Sequence, residues 1–147
     1  MKQQKTFFIP LFVLLVLALF ASCQSVPETI SEDLAPNEYF QKAQEAVSRG
    51  QYETGLLFYH TFLERYPNDL QKGVEAEYEI AFIYYKSGDL ATAKELFQAI
   101  ENKYTQGGAE ILPAWPRVLS AKVMAKIDEK EKALEAEAKE AAATEGE

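Results

Sequence analysis

Apolar residues fall into three successive patterns along this chain. The first is a nearly continuous apolar run over residues 7–20, preceded by Lys2 and Lys5 and followed by the small residues Ala21 and Ser22 and then Cys23. It is shorter than the roughly 20 apolar residues of a spanning helix, and Pro10 interrupts it. A positive start, an apolar middle and a small-residue end make up an export signal. The second pattern, over residues 24–35, mixes charges with Pro27 and Ser31 and has no apolar period, which predicts a flexible tether. The third begins at residue 36, where apolar positions take helical spacing and then repeat. Tyr39, Phe40, Ala43, Ala46 and Val47 precede Gly50, and Tyr78, Ile80, Ala81, Ile83, Tyr84 and Tyr85 precede Gly88. After each glycine comes a second amphipathic run: Tyr52, Gly55, Leu56, Tyr59, Phe62 and Leu63 in one case, Leu90, Ala93, Phe97 and Ile100 in the other. Each glycine can take the left-handed conformation that closes a helix. Asp89 is placed to cap the helix after the second turn, and Pro67 with Asn68 ends the first pair.

This pattern predicts an all-α fold: two helical hairpins stacked as an α-α superhelix, with a period of about 38 residues, in the range of helix-pair repeats. Two hairpins leave an apolar face uncovered, and stacked arrays need a terminal cap. The C-terminal segment offers one. Pro113 and Pro116 suit a helix start, and Trp115, Leu119, Val123 and Ile127 follow four apart as an apolar stripe. Beyond Ile127 the chain turns to Ala, Glu and Lys, with Asp128–Lys132 and Glu135–Lys139 spaced for helix-stabilising pairs. Leu134 alone could prolong the stripe, so this tail reads either as a solvated helix or as a coiled-coil docking helix. Gly107 and Gly108 predict a flexible connection. The organisation expected is an export signal over 1–22, Cys23 with a tether to 35, two hairpins over 36–104, and a loop, capping helix and acidic tail over 105–147.

Charge narrows the partners. The 147-residue chain carries a formal net charge of −8, and removal of residues 1–22 takes away two lysines and no acid, leaving the rest more acidic still. Such a surface repels nucleic acid and bare anionic lipid. Cys23 is the single cysteine, so no disulfide can form within the chain and the domain must hold by packing alone. Catalytic chemistry is sparse, with one histidine, His60, placed beside Tyr59 on a helix as a packing or surface residue, and no phosphate-binding glycine loop or metal-ligand spacing. No cofactor or metal site is expected. The glutamates, spaced among lysines, read as a solvated face.

Two stretches carry family resemblances. Phe20-Ala21-Ser22-Cys23 resembles the lipobox of bacterial lipoproteins, with Phe20 where an aliphatic residue is usual; the resemblance implies that Cys23 is lipidated and becomes the first residue of the mature chain. In that class Asp after the cysteine retains the protein at the inner membrane, so Gln24 implies the outer membrane, with the domain facing the periplasm. Residues 36–104 resemble the tetratricopeptide repeat. Tyr39, Ala43, Gly50, Gly55, Tyr59 and Pro67 match the pattern in the first unit, and Ile80, Ala81, Tyr84, Gly88, Ala93 and Phe97 in the second, where YYKSGDLATAKELF lies close to the consensus. The spacing between units, FLERYPND and the leader together resemble an envelope subgroup that includes the lipoprotein of the β-barrel assembly machinery and the periplasmic partner of the Tol-Pal system. The resemblance implies a concave groove taking a peptide or helix from another envelope protein, lined by Phe40, Gln44 and Val47 and then by Tyr78, Phe82, Tyr85 and Lys86. The expected function is a lipid-anchored, non-enzymatic interaction module. The alternative is an auxiliary subunit of a periplasmic transport system that cradles a solute-binding protein or a small apolar ligand, and it requires a closed apolar pocket of several hundred Å³ rather than an open groove.

Overall fold

The structure, a computed structural model, describes residues 30–31 and 33–144, of which 140 and 142–144 are described in backbone only. Among these residues the protein is all-α. Five helices follow one another: α1 Pro36–Ser48, α2 Tyr52–Arg65, α3 Leu70–Ser87, α4 Leu90–Lys103 and α5 Ala114–Thr144, with a single 3₁₀ turn at Ala109–Ile111 before the last. Helices α1 and α2 pair as one hairpin and α3 and α4 as the next; α3 packs on α2, and α5 closes the stack against α4 with a lesser contact to α3. None of these helices is long and apolar enough to cross a membrane.

Local chemistry explains where each helix begins and ends. Pro36 occupies the first turn of α1, where its missing N–H costs nothing, and the Glu38 carboxylate accepts the Ala35 N–H at 2.7 Å. Asp89 caps α4 by accepting the Thr92 N–H at 3.1 Å, as its position predicted, and Asp69 does the same for α3 through the Lys72 N–H, also at 3.1 Å. Gly50 and Gly88 both have positive φ, 76° and 92°, at the two hairpin turns. Gly55 serves a different purpose. A Cβ there would lie 2.5 Å from Val47 Cγ2, so the absent side chain is what lets α2 cross close over α1.

Two apolar clusters share α3 as a common wall. Ala76, Ile80 and Ile83 face the first hairpin, packing with Tyr39, Ala43, Tyr59 and Phe62. Val74, Tyr78 and Ala81 face the other way, onto Ala93, Phe97, Ile100, Val123 and Ile127. A helix buried on both sides needs apolar residues around most of its circumference, which accounts for its long run of aromatics and β-branched residues.

Three expectations are corrected. The buried stripe of α5 is Pro116, Ser120, Val123 and Ile127; Trp115 and Leu119 flank it and stay 37% exposed each. The connection at Gly107 and Gly108 is not loose: Gly108 sits at φ 90°, the 3₁₀ turn follows, the Tyr104 hydroxyl donates to the Pro113 carbonyl at 2.6 Å, and Gln71 Nε2 donates to the Ile111 carbonyl at 2.9 Å. The end of the expected tether is also held. Arg65 Nη1 donates to the Ser31 carbonyl at 2.8 Å and to the Tyr39 hydroxyl, the Tyr66 hydroxyl donates to the Leu34 carbonyl at 3.1 Å, and Ile30 and Leu34 pack on the first cluster. Cys23 and the export signal lie outside the described residues.

Candidate functional site

The exposed side of α3 carries an aromatic row. Tyr78 and Phe82 stack with ring centroids 5.9 Å apart and 13° between planes, and Phe82 and Tyr85 stack at 5.8 Å and 26°, so the three residues expected on one face do share it. They are not equally available. Tyr78 is only 6% exposed because its ring is wedged between Phe97 at 5.6 Å and Trp115 at 5.1 Å, and it counts with the core as well as with the row. Phe82 and Tyr85 are half-buried and pack against the second cluster. Trp115, at the start of α5, extends the row beyond Tyr78 and points its Nε1–H at Glu75 Oε1, 3.4 Å away.

Helix α1 contributes Phe40 and Gln44. Phe40 meets Tyr59 edge-on at 5.3 Å and Phe62 at 5.0 Å, so its ring is half-buried between the helices of the first hairpin. Gln44 is exposed, and its amide lies beside the Tyr59 hydroxyl. Val47 does not line a groove; it is the side chain pressed against Gly55 where α1 and α2 cross. Lys86 is exposed at the end of α3, with its ammonium 5.9 Å from the centroid of the Tyr52 ring rather than free at a rim.

One group on this face was read in the sequence as solvated and turns out otherwise, and it acts on a buried tyrosine. Glu79 lies between Tyr78 and the first hairpin; burial and the neighbouring Glu75 carboxylate push its carboxyl above the ordinary range, and Lys86 offsets only part of that. Tyr59, fully buried, has a hydroxyl with no hydrogen-bond partner, and burial together with the Glu79 charge raises its pKa while the Gln44 amide works against the rise. A signal for Glu75 and Glu79 was present in the sequence: they fall four apart and share a helical face with Phe82 and Lys86.

Other concavities are of different character. An open cleft of about 660 Å³ lies at the hairpin turns between Gln51, Tyr52, Leu56, Ile83 and Tyr84. A second of about 590 Å³ lies beside the 3₁₀ turn, at Tyr104, Leu112 and Arg117. A smaller apolar slot of about 220 Å³ is lined by Leu63, Ile80, Leu96 and Ile100, with His60 and the Glu77–Lys103 ion pair at its mouth. No group of three or more His, Cys, Asp or Glu side chains among the described residues could hold a metal ion.

Comparison with known proteins finds two matches. An uncharacterised protein of Treponema pallidum (strain Nichols) is 30% identical to this chain over 104 residues, covering 69% of the chain and 42% of the relative. The chain thus spans about two fifths of that protein's length. No protein-family profile matches the chain, and no solved structure matches it.

Proposed function

We propose that this protein is a lipid-anchored, non-enzymatic adaptor of the tetratricopeptide type, held at Cys23 on the periplasmic side of a bacterial outer membrane and binding a helix or extended segment of another envelope protein along α3. The observation that carries this reading is the aromatic row of Phe82, Tyr85 and Trp115 beside the buried Tyr78. Stacked aromatics left half-buried on a helix face form the kind of surface that dominates protein interfaces. Among the described residues, the clefts of about 660 and 590 Å³ are open, and the apolar slot of about 220 Å³ is smaller than the sites that enclose small-molecule ligands, which supports this reading over ligand transport.

The test compares the mature chain with its Phe82→Ala/Tyr85→Ala variant as bait in native envelope extract, read by mass spectrometry. Partners captured by the wild type and lost at least tenfold with a folded variant support the adaptor, because a tenfold loss corresponds to about 1.4 kcal/mol, an ordinary contribution of central aromatics. An unchanged partner list refutes it. Attachment is tested separately: Cys23→Ser should abolish incorporation of labelled palmitate and release the protein from washed membranes. Retention of the variant at wild-type yield would refute the anchor.

A further inference from the structure

Helix α5 is longer than the stack it closes. Its 31 residues span about 46 Å, whereas the 14 residues of α4 span about 21 Å. The ion pairs between them run from Arg117–Glu101 at one end to Lys94–Glu131 at the other. From Lys132 onward every side chain described is exposed, so the last turns of α5 lack the tertiary packing that usually holds a helix. Charge divides the same helix in two. Residues 111–127 hold Arg117, Lys122 and Lys126 and no acid, and past residue 28 no other stretch as long lacks one; residues 128–147 hold eight acids against three lysines. Along one side of α5, positions 115, 119, 122, 126, 129, 133 and 136 are all exposed and follow at alternating steps of four and three, the spacing of a coiled-coil seam. The charged members of this stripe, Lys122, Lys126 and Glu129, form no ion pair among the described residues.

We infer that two copies of this protein pair antiparallel along this stripe, about a twofold axis at Lys126. In that register Trp115 of each copy lies against Ala136 of the other, Leu119 against Ala133, and Lys122 against Glu129. Large apolar side chains meet small ones, and opposite charges meet where the two halves join. Trp115 keeps 37% of its surface free for this after its contact with Tyr78. A parallel pair would instead set Lys122 on Lys122 and Glu129 on Glu129. The twofold axis is what singles out a second copy as the occupant: the basic, apolar half of each α5 receives the acidic, alanine-rich half of the other, so both halves are matched at once. An unrelated acidic segment would cover one half and leave the other bare. Lys126 meets its own counterpart at the axis, where its long stem can turn the ammonium aside toward Glu129 of the second copy; a lysine at a seam position fixes register at a cost in affinity. The pair is therefore weak in dilute solution and gains from confinement to one membrane surface, as proposed for Cys23.

This pairing uses α5 alone and does not rest on the groove reading above. It is tested in native membranes with the full-length chain carrying one added cysteine, oxidised with copper phenanthroline and read as dimer on a non-reducing gel, with the unsubstituted chain as background. Lys126→Cys, at the axis, should give a disulfide-linked dimer. Ala136→Cys should not, because the antiparallel arrangement holds the two copies of residue 136 about 30 Å apart. Within the Lys126→Cys chain, Lys122→Glu or Glu129→Lys alone should cut the dimer yield about tenfold, and the two together should restore it, since the exchange rebuilds both ion pairs with their signs reversed. That recovery shows that the single variants lose the contact and not the fold. Phe82→Ala/Tyr85→Ala should leave the yield unchanged. Absence of dimer from Lys126→Cys, an equal yield from Ala136→Cys, or a double exchange that stays unpaired overturns the inference, and loss of the dimer with Phe82→Ala/Tyr85→Ala does so by placing the contact on α3.

Discussion

At Gly55 the sequence pattern and the packing agree for a reason that can be tested. Glycine inside a helix is intrinsically worse than alanine by about 1 kcal/mol, so propensity alone favours Gly55→Ala. Packing opposes it, because the added methyl would meet Val47 Cγ2 at 2.5 Å with the Ala43 carbonyl and Ile83 Cδ1 each at 3.4 Å behind, leaving it no side on which to relax. Overpacking of this kind typically costs about 1–3 kcal/mol, so the clash should win and the variant should melt several degrees lower by circular dichroism. Ser120 is the opposite case. It is fully buried where α5 crosses the stack, a position that demands a small side chain, yet its hydroxyl has no partner. Ser120→Ala keeps the size and removes the unpaired group, so stability should rise by up to about 1 kcal/mol, seen as a higher midpoint in urea.

Helix α5 shows both the reach of the sequence pattern and its limit. Its presence and its role as a cap were legible from the spacing of apolar residues after Pro113, but the buried face was not. Steps of four residues advance about 40° around a helix each time, so three steps from Trp115 to Ile127 turn through about 120° and no straight helix can bury all four equally. The pattern that does stay on one side, at 116, 120, 123 and 127, was hidden because it includes a proline and a serine. The groove residues were half legible in the same sense. Stacking along α3 follows from spacing, whereas the burial of Tyr78 depends on Trp115 arriving from 37 positions downstream, and the upward shift of Tyr59 depends on its burial and on Glu79 from the next hairpin. Removing everything after residue 104 should expose Phe97 and Ile100 and lower the melting temperature by more than about 5 °C, since burial of each such side chain is worth about 1.5–3 kcal/mol. Trimming 134–147 should change it little, because Leu134 is 52% exposed and its neighbours along the helix are exposed too. The ion pairs at this junction differ from those the spacing suggested: Asp128 and Glu131 both meet Lys94 of α4, at 2.6 and 2.7 Å. These contacts hold the Asp128 carboxyl below its usual range and the Lys94 ammonium above its own. Asp128 therefore contributes above the unfolded carboxylate pKa and loses its contribution as pH falls through the lower folded value. Lys94 contributes below its ordinary pKa and loses its contribution as pH rises through the higher folded value. Lys94→Gln should thus lower the melting temperature slightly at pH 7, and the difference from wild type should shrink at pH 3; because the pair is exposed, it should also shrink in 1 M salt.

For the whole molecule, the attachment of residues 30–34 to the first hairpin sets a distance. With a lipid on Cys23, as proposed, the leash to the point where Arg65 grips the Ser31 and Ile30 carbonyls is seven residue steps, at most about 25 Å when drawn straight. The first hairpin is therefore moored close to the bilayer. The domain could then serve neighbours in its own leaflet but not reach across an open gap. Arg65→Ala with Tyr66→Phe removes the grip and lengthens the leash by up to about 15 Å. In proteoliposomes carrying a fluorophore at residue 134 and an acceptor in the lipid, energy transfer should fall or broaden in that variant, and an unchanged signal would show that the mooring does not set the height.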